Sequence, residues 1–345
     1  MIIGRLFIGL AGGAYCFNIP VYVGEAVSKE IRGILLTFHQ AFVRLGIVFV
    51  YTLGSVFHLF TLNVVCGALV VIFTLGFAFL PETPVYLVRQ NRCEMAEKSI
   101  AVLRGSGYDP RLEVYELQRA FEEASKAPKS SLMSEMRNRA TVKAFNIIFF
   151  LFFVFQMSGI NAVIFYATTI FIKSDINMDP FLATVILGIV ELLATILSVF
   201  VVDKFGRVFL LVTSFSMSFV GLIGIASFFS VHENHKELLT WLPLPSLCIF
   251  VIGFNLGLGT VPFVFLGEMF SHEAKKIIAP SSQTMQFAMS FVIGILYPAL
   301  VNTIGTGLTF YMFAGFCALG LFFTIFFIPE TKNKTLAEIQ ELLRK

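Results

Sequence analysis

Gly24-Glu25 and Pro81-Glu82-Thr83 recur further along the chain as Gly267-Glu268 and Pro329-Glu330-Thr331. The first triplet starts 56 positions beyond its glutamate and the second 61. Each glutamate closes an apolar run, and seven positions later comes a basic residue, Arg32 in one copy and Lys275 in the other. Two further apolar runs separate glutamate from triplet in both copies. Repetition at this scale marks a chain built from two halves of like topology. The copies differ in what precedes them: one apolar run before Glu25, four before Glu268 within its half.

Composition says which solvent those runs meet. Of 345 residues 57% are hydrophobic and only 14% charged, against about a quarter charged in an ordinary soluble domain. The 41 phenylalanines suit a lipid-facing surface. A net charge of +3 is no nucleic-acid footprint, because the basic residues collect in a few loops. The stretch from Met1 to Leu10 runs straight into a full apolar span, without the basic region or cleavage site of a signal peptide. Cys16, Cys66, Cys248 and Cys317 lie inside apolar runs, where a thiol acts as a small hydrophobe, and Cys93 lies in a polar loop. No cysteine spacing points to a metal, and His232 and His235 have neither an HExxH helix nor a third ligand. Walker, dinucleotide and nucleophile-elbow motifs are all missing, so neither enzyme chemistry nor a cofactor is expected.

A spanning helix needs about 20 apolar residues. Such runs occupy 3–23, 34–56, 59–80, 142–172, 181–202, 208–230, 242–268, 280–301 and 306–328, which predicts nine spans. Basic residues fall after the first span, throughout 89–143, after the fifth and seventh spans, and in the tail. Those alternate regions hold 21 of the 25 lysines and arginines. The positive-inside rule then places the tail and the long loop in the cytoplasm and the N-terminus outside. In the loop, 94–103 and 113–124 have helical periodicity, interrupted by Gly105, Gly107 and Pro110. Short amphipathic helices joining the halves and a plain solvated linker both fit.

The motifs resemble one family. Gly4-Arg5, Pro20-Val21-Tyr22-Val23-Gly24-Glu25 and Arg32-Gly33 are similar to the fourth-helix signature of the sugar porters of the major facilitator superfamily. Pro81-Glu82-Thr83-Pro84 resembles the PESPR motif after the sixth helix. The segment Gln156-Met157-Ser158-Gly159-Ile160-Asn161, continuing to Tyr166, resembles the seventh-helix QQxSGxNxxxYY. Asp203 to Arg207 resembles the D/E-x-x-G-R loop, and Pro329 to Leu336 resembles the PETKGxTL tail. The wording around Asn161 is similar to insect facilitated trehalose and glucose transporters. The resemblance implies an all-α membrane bundle running from about the family's fourth helix to its C-terminus. Its parts would be three helices of the N-terminal half (1–82), a cytoplasmic linker (83–140), a six-helix C-terminal half (141–328) and a tail (329–345). Facilitated movement of a hexose or disaccharide across the plasma membrane by alternating access is the function implied, with glucose or trehalose as cargo.

Polar groups inside a bilayer are costly and become functional candidates. Gln156, Asn161 and Tyr166 share the seventh-helix motif, and amides offer both donors and acceptors to sugar hydroxyls. Interhelical bonding explains such residues equally well. By the resemblance, Gln40, Asn255, Phe263 and Gln286 would also approach the sugar, with packing as the other reading of Phe263. Glu25 with Arg32, Asp203 with Arg207, and Glu268 with Lys275 resemble charges that clamp helix ends in one conformation of a switch.

Departures from the pattern are numerous. Phe155 stands in place of a glutamine, Phe263 in place of a tryptophan, and Gln286-Phe287 in place of an Asn-Trp pair. Val85 replaces the PESPR arginine, and Lys275 lacks arginine's fork. Arg5, Arg44 and Glu191 are charges within spans. Arg44 and Glu191 either pair with each other, or Glu191 serves proton coupling to a sugar or polyol. With three family helices unaccounted for, further expectations stand: a non-transporting truncated isoform, an incomplete gene model or a sugar-sensing relative, or an N-terminal half completed by a second chain.

Overall fold

The computed structural model describes residues 2–105, 108–126, 139–202, 204–231, 239–270 and 272–344. Asp203, His232 and His235 therefore lie outside the described residues, as does part of the long loop, and nothing is described of the Arg32 side chain. Fifteen helices make up the regular structure among the described residues. The first three are α1 (Ile2–Ala26), α2 (Lys29–Val56) and α3 (Leu59–Phe77). Three short ones follow, α4 (Pro84–Arg89), α5 (Cys93–Arg104) and α6 (Pro110–Lys126). The remainder are α7 (Arg139–Met157), α8 (Ile160–Lys173), α9 (Pro180–Val202), α10 (Arg207–Ser230), α11 (Pro243–Leu256), α12 (Val261–Glu268), α13 (His272–Ile304), α14 (Thr306–Phe327) and α15 (Leu336–Arg344).

Eight segments among the described residues are long and apolar enough to cross a membrane. They are α1, α3, α7 with α8, α9, α10, α11 with α12, most of α13, and α14. The ninth expected span, 34–56, is one unbroken helix whose middle carries His39, Gln40 and Arg44. Two expected spans are interrupted, 142–172 at Ser158-Gly159 and 242–268 between Gly257 and Thr260. Irregular backbone at membrane depth survives only where protein or a cavity covers it, which makes both breaks informative.

The chain divides into two compact units. One comprises Met1–Val43 with Phe57–Lys129, the other Arg44–Val56 with Ser130–Lys345. In the first unit, none of the most apolar stretches of α1 and α3 is buried. Its small polar subassembly has a core of its own, Leu87, Val88, Ala96, Ile100 and Val114 on α4–α6. Helix α4 starts where Thr83 accepts from Tyr86 N–H (3.2 Å) and Pro84 takes the first helical position, which needs no N–H. Arg104 ties this subassembly to α1, donating to Ala26 O (2.8 Å) while pairing with Glu113 (2.9 Å).

The second unit has the larger core, with Phe152, Phe215, Phe250, Phe254, Phe265, Phe310 and Phe313 fully buried. Helix α10 packs between α11 and α14. Helix α15 begins with a reciprocal cap: Thr335 N–H donates to Glu338 (2.7 Å) and Glu338 N–H to Thr335 Oγ1 (3.4 Å). Its Ile339 and Leu343 are buried, and the helix packs against α7.

Candidate functional site

Gly159 separates α7 from α8 and has φ of +82°, a conformation that strains any residue bearing a Cβ. A Cβ there would also lie 2.4 Å from the Phe313 ring. The break turns the polar residues on either side of it toward α13. Gln156, 1% exposed, donates from Nε2 to Gln286 O at 2.9 Å. Asn161 Nδ2 bridges Gln156 Oε1 (2.5 Å) and Ser290 Oγ (2.9 Å). One turn further along α13, Tyr166 OH donates to Gly294 O at 2.9 Å, and the Tyr166 and Tyr297 rings lie 5.0 Å apart. Gln286, Ser290 and Gly294 recur at i, i+4, i+8, one face of α13. Gln286 Oε1 is buried without a hydrogen-bond partner among the described residues. An orphaned acceptor costs about 1–3 kcal/mol, so this site is short of one donor.

The structure thus gathers Gln156, Asn161, Tyr166 and Gln286. Asn255 is engaged elsewhere. Its Nδ2 donates to Val251 O (2.9 Å), and its Oδ1 accepts from Thr195 Oγ1 (3.1 Å), which joins α11 to α9. Those bonds occupy both ends of its amide. Phe263, partly exposed, sits edge-on to Phe152 (5.2 Å) and Phe155 (6.4 Å). Phe155 in turn meets Phe254 at 4.8 Å, so the residue standing for a glutamine has become part of an aromatic wall. Gln40 lies in the other unit and is exposed. The break between α11 and α12 is stitched by Ser214 Oγ, which accepts from Leu258 N–H at 2.9 Å.

The repeated motifs make the same bond twice. Thr83 Oγ1 donates to Glu25 Oε2 at 2.6 Å, and Thr331 Oγ1 donates to Glu268 Oε2 at 2.6 Å. Glu268 also forms an ion pair, with Arg207 at 2.8 Å. The expected partner of Arg207 was Asp203, which lies outside the described residues, and that of Glu268 was Lys275. Arg207 reaches across to Glu268, while Lys275 is exposed on the next helix and forms no ion pair with Glu268. A short, buried approach from the start of α10 favours the arginine fork over a solvated ammonium.

Glu330 was not singled out by sequence reasoning. Its carboxylate accepts from Arg207 N–H (2.9 Å) and Val208 N–H (3.1 Å), capping α10. A Cβ on Gly206 would strike its Oε2 at 2.4 Å, so the glycine clears the carboxylate's place. Partial burial raises the Glu330 carboxyl, but backbone donors from Lys332, Arg207, Val208 and Thr331 outweigh it and hold it below its ordinary range. The signal for this role was present: an acid in each triplet, and a Gly-Arg opening α10.

Of the intramembrane charges, Arg44 and Glu191 form an ion pair, with Glu191 3% exposed. Arg5 is exposed on α1.

Residues 1–343 match the family described as Sugar (and other) transporter, and the chain belongs to that family. It is 32% identical over 342 residues to the facilitated trehalose transporter Tret1 of Aedes aegypti and 33% to that of Anopheles gambiae. Both alignments take in 99% of this chain but only 42% and 43% of those relatives. The chain thus spans less than half of their length. Against the Tret1 of Culex quinquefasciatus the identity is 32%, over 66% of the relative. Among solved structures, the inward-open xylose transporter XylE from E. coli aligns with TM-score 0.75 at 22% identity, covering 94% of this chain and 68% of that one. The proton:xylose symporter XylE bound to 6-bromo-6-deoxy-D-glucose aligns with TM-score 0.62 at 24% identity, over 94% and 70%. The fold is that of the major facilitator superfamily, an all-α, multi-pass membrane protein.

Proposed function

We propose that the protein to which this chain belongs moves a hexose or disaccharide, glucose or trehalose, across the plasma membrane by facilitated alternating access. The supporting observation is the polar cluster at the α7–α8 break, which faces α13 and holds the unpartnered Gln286 Oε1. A sugar hydroxyl supplies the missing donor. Other hydroxyls exchange with the bonds that Gln156, Asn161 and Ser290 make to one another, so desolvating the sugar leaves few groups unsatisfied. Gln40, Asn255 and Phe263 are further sugar contacts in this reading, with Asn255 exchanging its bond to Thr195 for one to the sugar. Glu25, Arg32, Asp203, Arg207, Glu268 and Lys275 form the switch at the cytoplasmic ends of their helices, with the N-terminus outside. The segments 1–82, 83–140, 141–328 and 329–345 act as N-terminal bundle, linker, C-terminal bundle and tail.

The relatives support a sugar as cargo, since Tret1 is a facilitated trehalose transporter and XylE a xylose transporter. The test is uptake of radiolabelled trehalose and glucose into proteoliposomes holding the purified chain. Uptake of one that is saturable and falls at least tenfold in Asn161→Ala supports the reading; each lost bond between neutral groups is worth roughly 1 kcal/mol, and Asn161 makes two, to Gln156 Oε1 and Ser290 Oγ. Failure to take up either sugar would sink it for this chain.

A further inference from the structure

The outer half of α2 belongs with the second unit, and three of its residues show how it is attached there. Arg44, Val48 and Tyr51 fall at i, i+4, i+7 and so share one face. Arg44 pairs with Glu191 on α9. One turn away on α9, Gly188 makes a notch. A Cβ there would lie 3.0 Å from the Tyr51 ring and 3.3 Å from Val48. Tyr51 passes through this notch to α8, where its hydroxyl donates to Ile164 O at 2.6 Å. That carbonyl lies two residues before Tyr166, whose dihedrals (φ −119°, ψ 16°) leave the helical range. Helices kink where a side chain competes for the backbone ladder.

We propose that Arg44 and Tyr51 are positioning residues, which strap the outer half of α2 across α9 and hold α8 at its kink. Helix α8 is thereby fixed on two sides. On one, Tyr166 and Asn161 bond to Gly294 and Ser290 of α13. On the other, Tyr51 bonds to Ile164. The ion pair keeps α2 seated against α9 so that Tyr51 stays within reach, and hydrocarbon makes both polar attachments hard to replace. The consequence for sugar affinity rests on the transport reading above; the strap itself rests on geometry alone.

Two measurements test it on the purified chain. Amide hydrogen exchange around Tyr166 should quicken about fivefold in Tyr51→Phe, the loss of one buried hydrogen bond, while α14 keeps its wild-type rates. The variant should still fold, because Thr168 and Thr184 also join α8 to α9 (3.0 Å). In the second measurement, Arg44→Met and Glu191→Gln should each quicken exchange in α8. The double variant should exchange no faster than the faster single, because both changes break the same pair. Where the wild type takes up sugar, Tyr51→Phe should raise the apparent KM about fivefold with kcat less affected. Unchanged α8 exchange in Tyr51→Phe, or a double variant worse than either single, overturns the strap. Absence of wild-type uptake counts against the transport reading alone, since the exchange experiment stands without it.

Discussion

The two Glu–Thr bonds are alike in length, but they sit in very different company. In the first unit, Glu25 receives Thr83, and the neighbouring helix end is met by Arg104 on Ala26 O. In the second, Glu268 receives Thr331 and also Arg207, while Glu330 caps α10 from the same triplet. Glu82, the counterpart of Glu330, is exposed. The bond that needs only the motif forms in both copies. Among the described residues, the bonds that need a further helix start, such as that of α10, appear in the second copy. Short sequence motifs can therefore carry their own hydrogen bond, whereas an ion-pair network depends on the packed bundle that brings α10 alongside.

The comparison is most exposed at the two glutamates. Glu268→Ala strips a partner from the buried Arg207 guanidinium as well as from Thr331, and should cost about 3 kcal/mol. Glu25→Ala removes, among the described residues, one hydroxyl partner and should cost about 1 kcal/mol. Thermal unfolding midpoints in detergent compare them directly, and equal shifts would mean that the Arg207 pair contributes nothing. Next in size are the triplet acids: Glu330→Gln should cost about 1–2 kcal/mol as a lost helix cap, and Glu82→Gln should leave the midpoint unchanged.

The Glu330 charge adds a pH signature. Because its folded pKa is lowered from the ordinary 4.5, its contribution is fully present above that pH and is lost as pH falls through the folded value. The gap between wild type and Glu330→Gln should accordingly stay constant above pH 4.5 and close below it. A gap that widened on acidification would reverse the assignment. Smallest and most symmetrical are Thr83→Val and Thr331→Val. Each should cost about 1 kcal/mol, and a clear inequality between them would show that the shared 2.6 Å bond is not the shared energy.

Much of this was legible beforehand. Of the nine apolar runs, eight lie in segments long and apolar enough to cross a membrane among the described residues, and Gln156, Asn161 and Tyr166 were picked out by their spacing in one motif. Gln286 entered through family resemblance, and the structure puts it opposite Gln156. The pairing of Arg44 with Glu191 was one of two expectations and is present. Other outcomes were not legible. Asn255 looked as available as Asn161, yet its amide is consumed by Val251 and Thr195, a matter of which helix faces which. Tyr51 gave no signal, because an aromatic in an apolar run is usually plain packing; its role depends on a notch at Gly188 and a kink at Tyr166, both on other helices.

The sequence by itself determined the solvent, the spans and the twofold repetition, since burying apolar runs in lipid and repeating a motif are properties of the linear chain. The two Glu–Thr bonds join Glu25 to Thr83 and Glu268 to Thr331 across distant stretches of chain, so the repeat marks their donors and acceptors and the fold brings them together. Which arginine reaches which glutamate, which amide is left with a free acceptor, and where α2 fastens were decided by tertiary structure. Charge pairs and orphaned acceptors depend on distances of a few ångströms between helices far apart in sequence, and no local pattern encodes those distances.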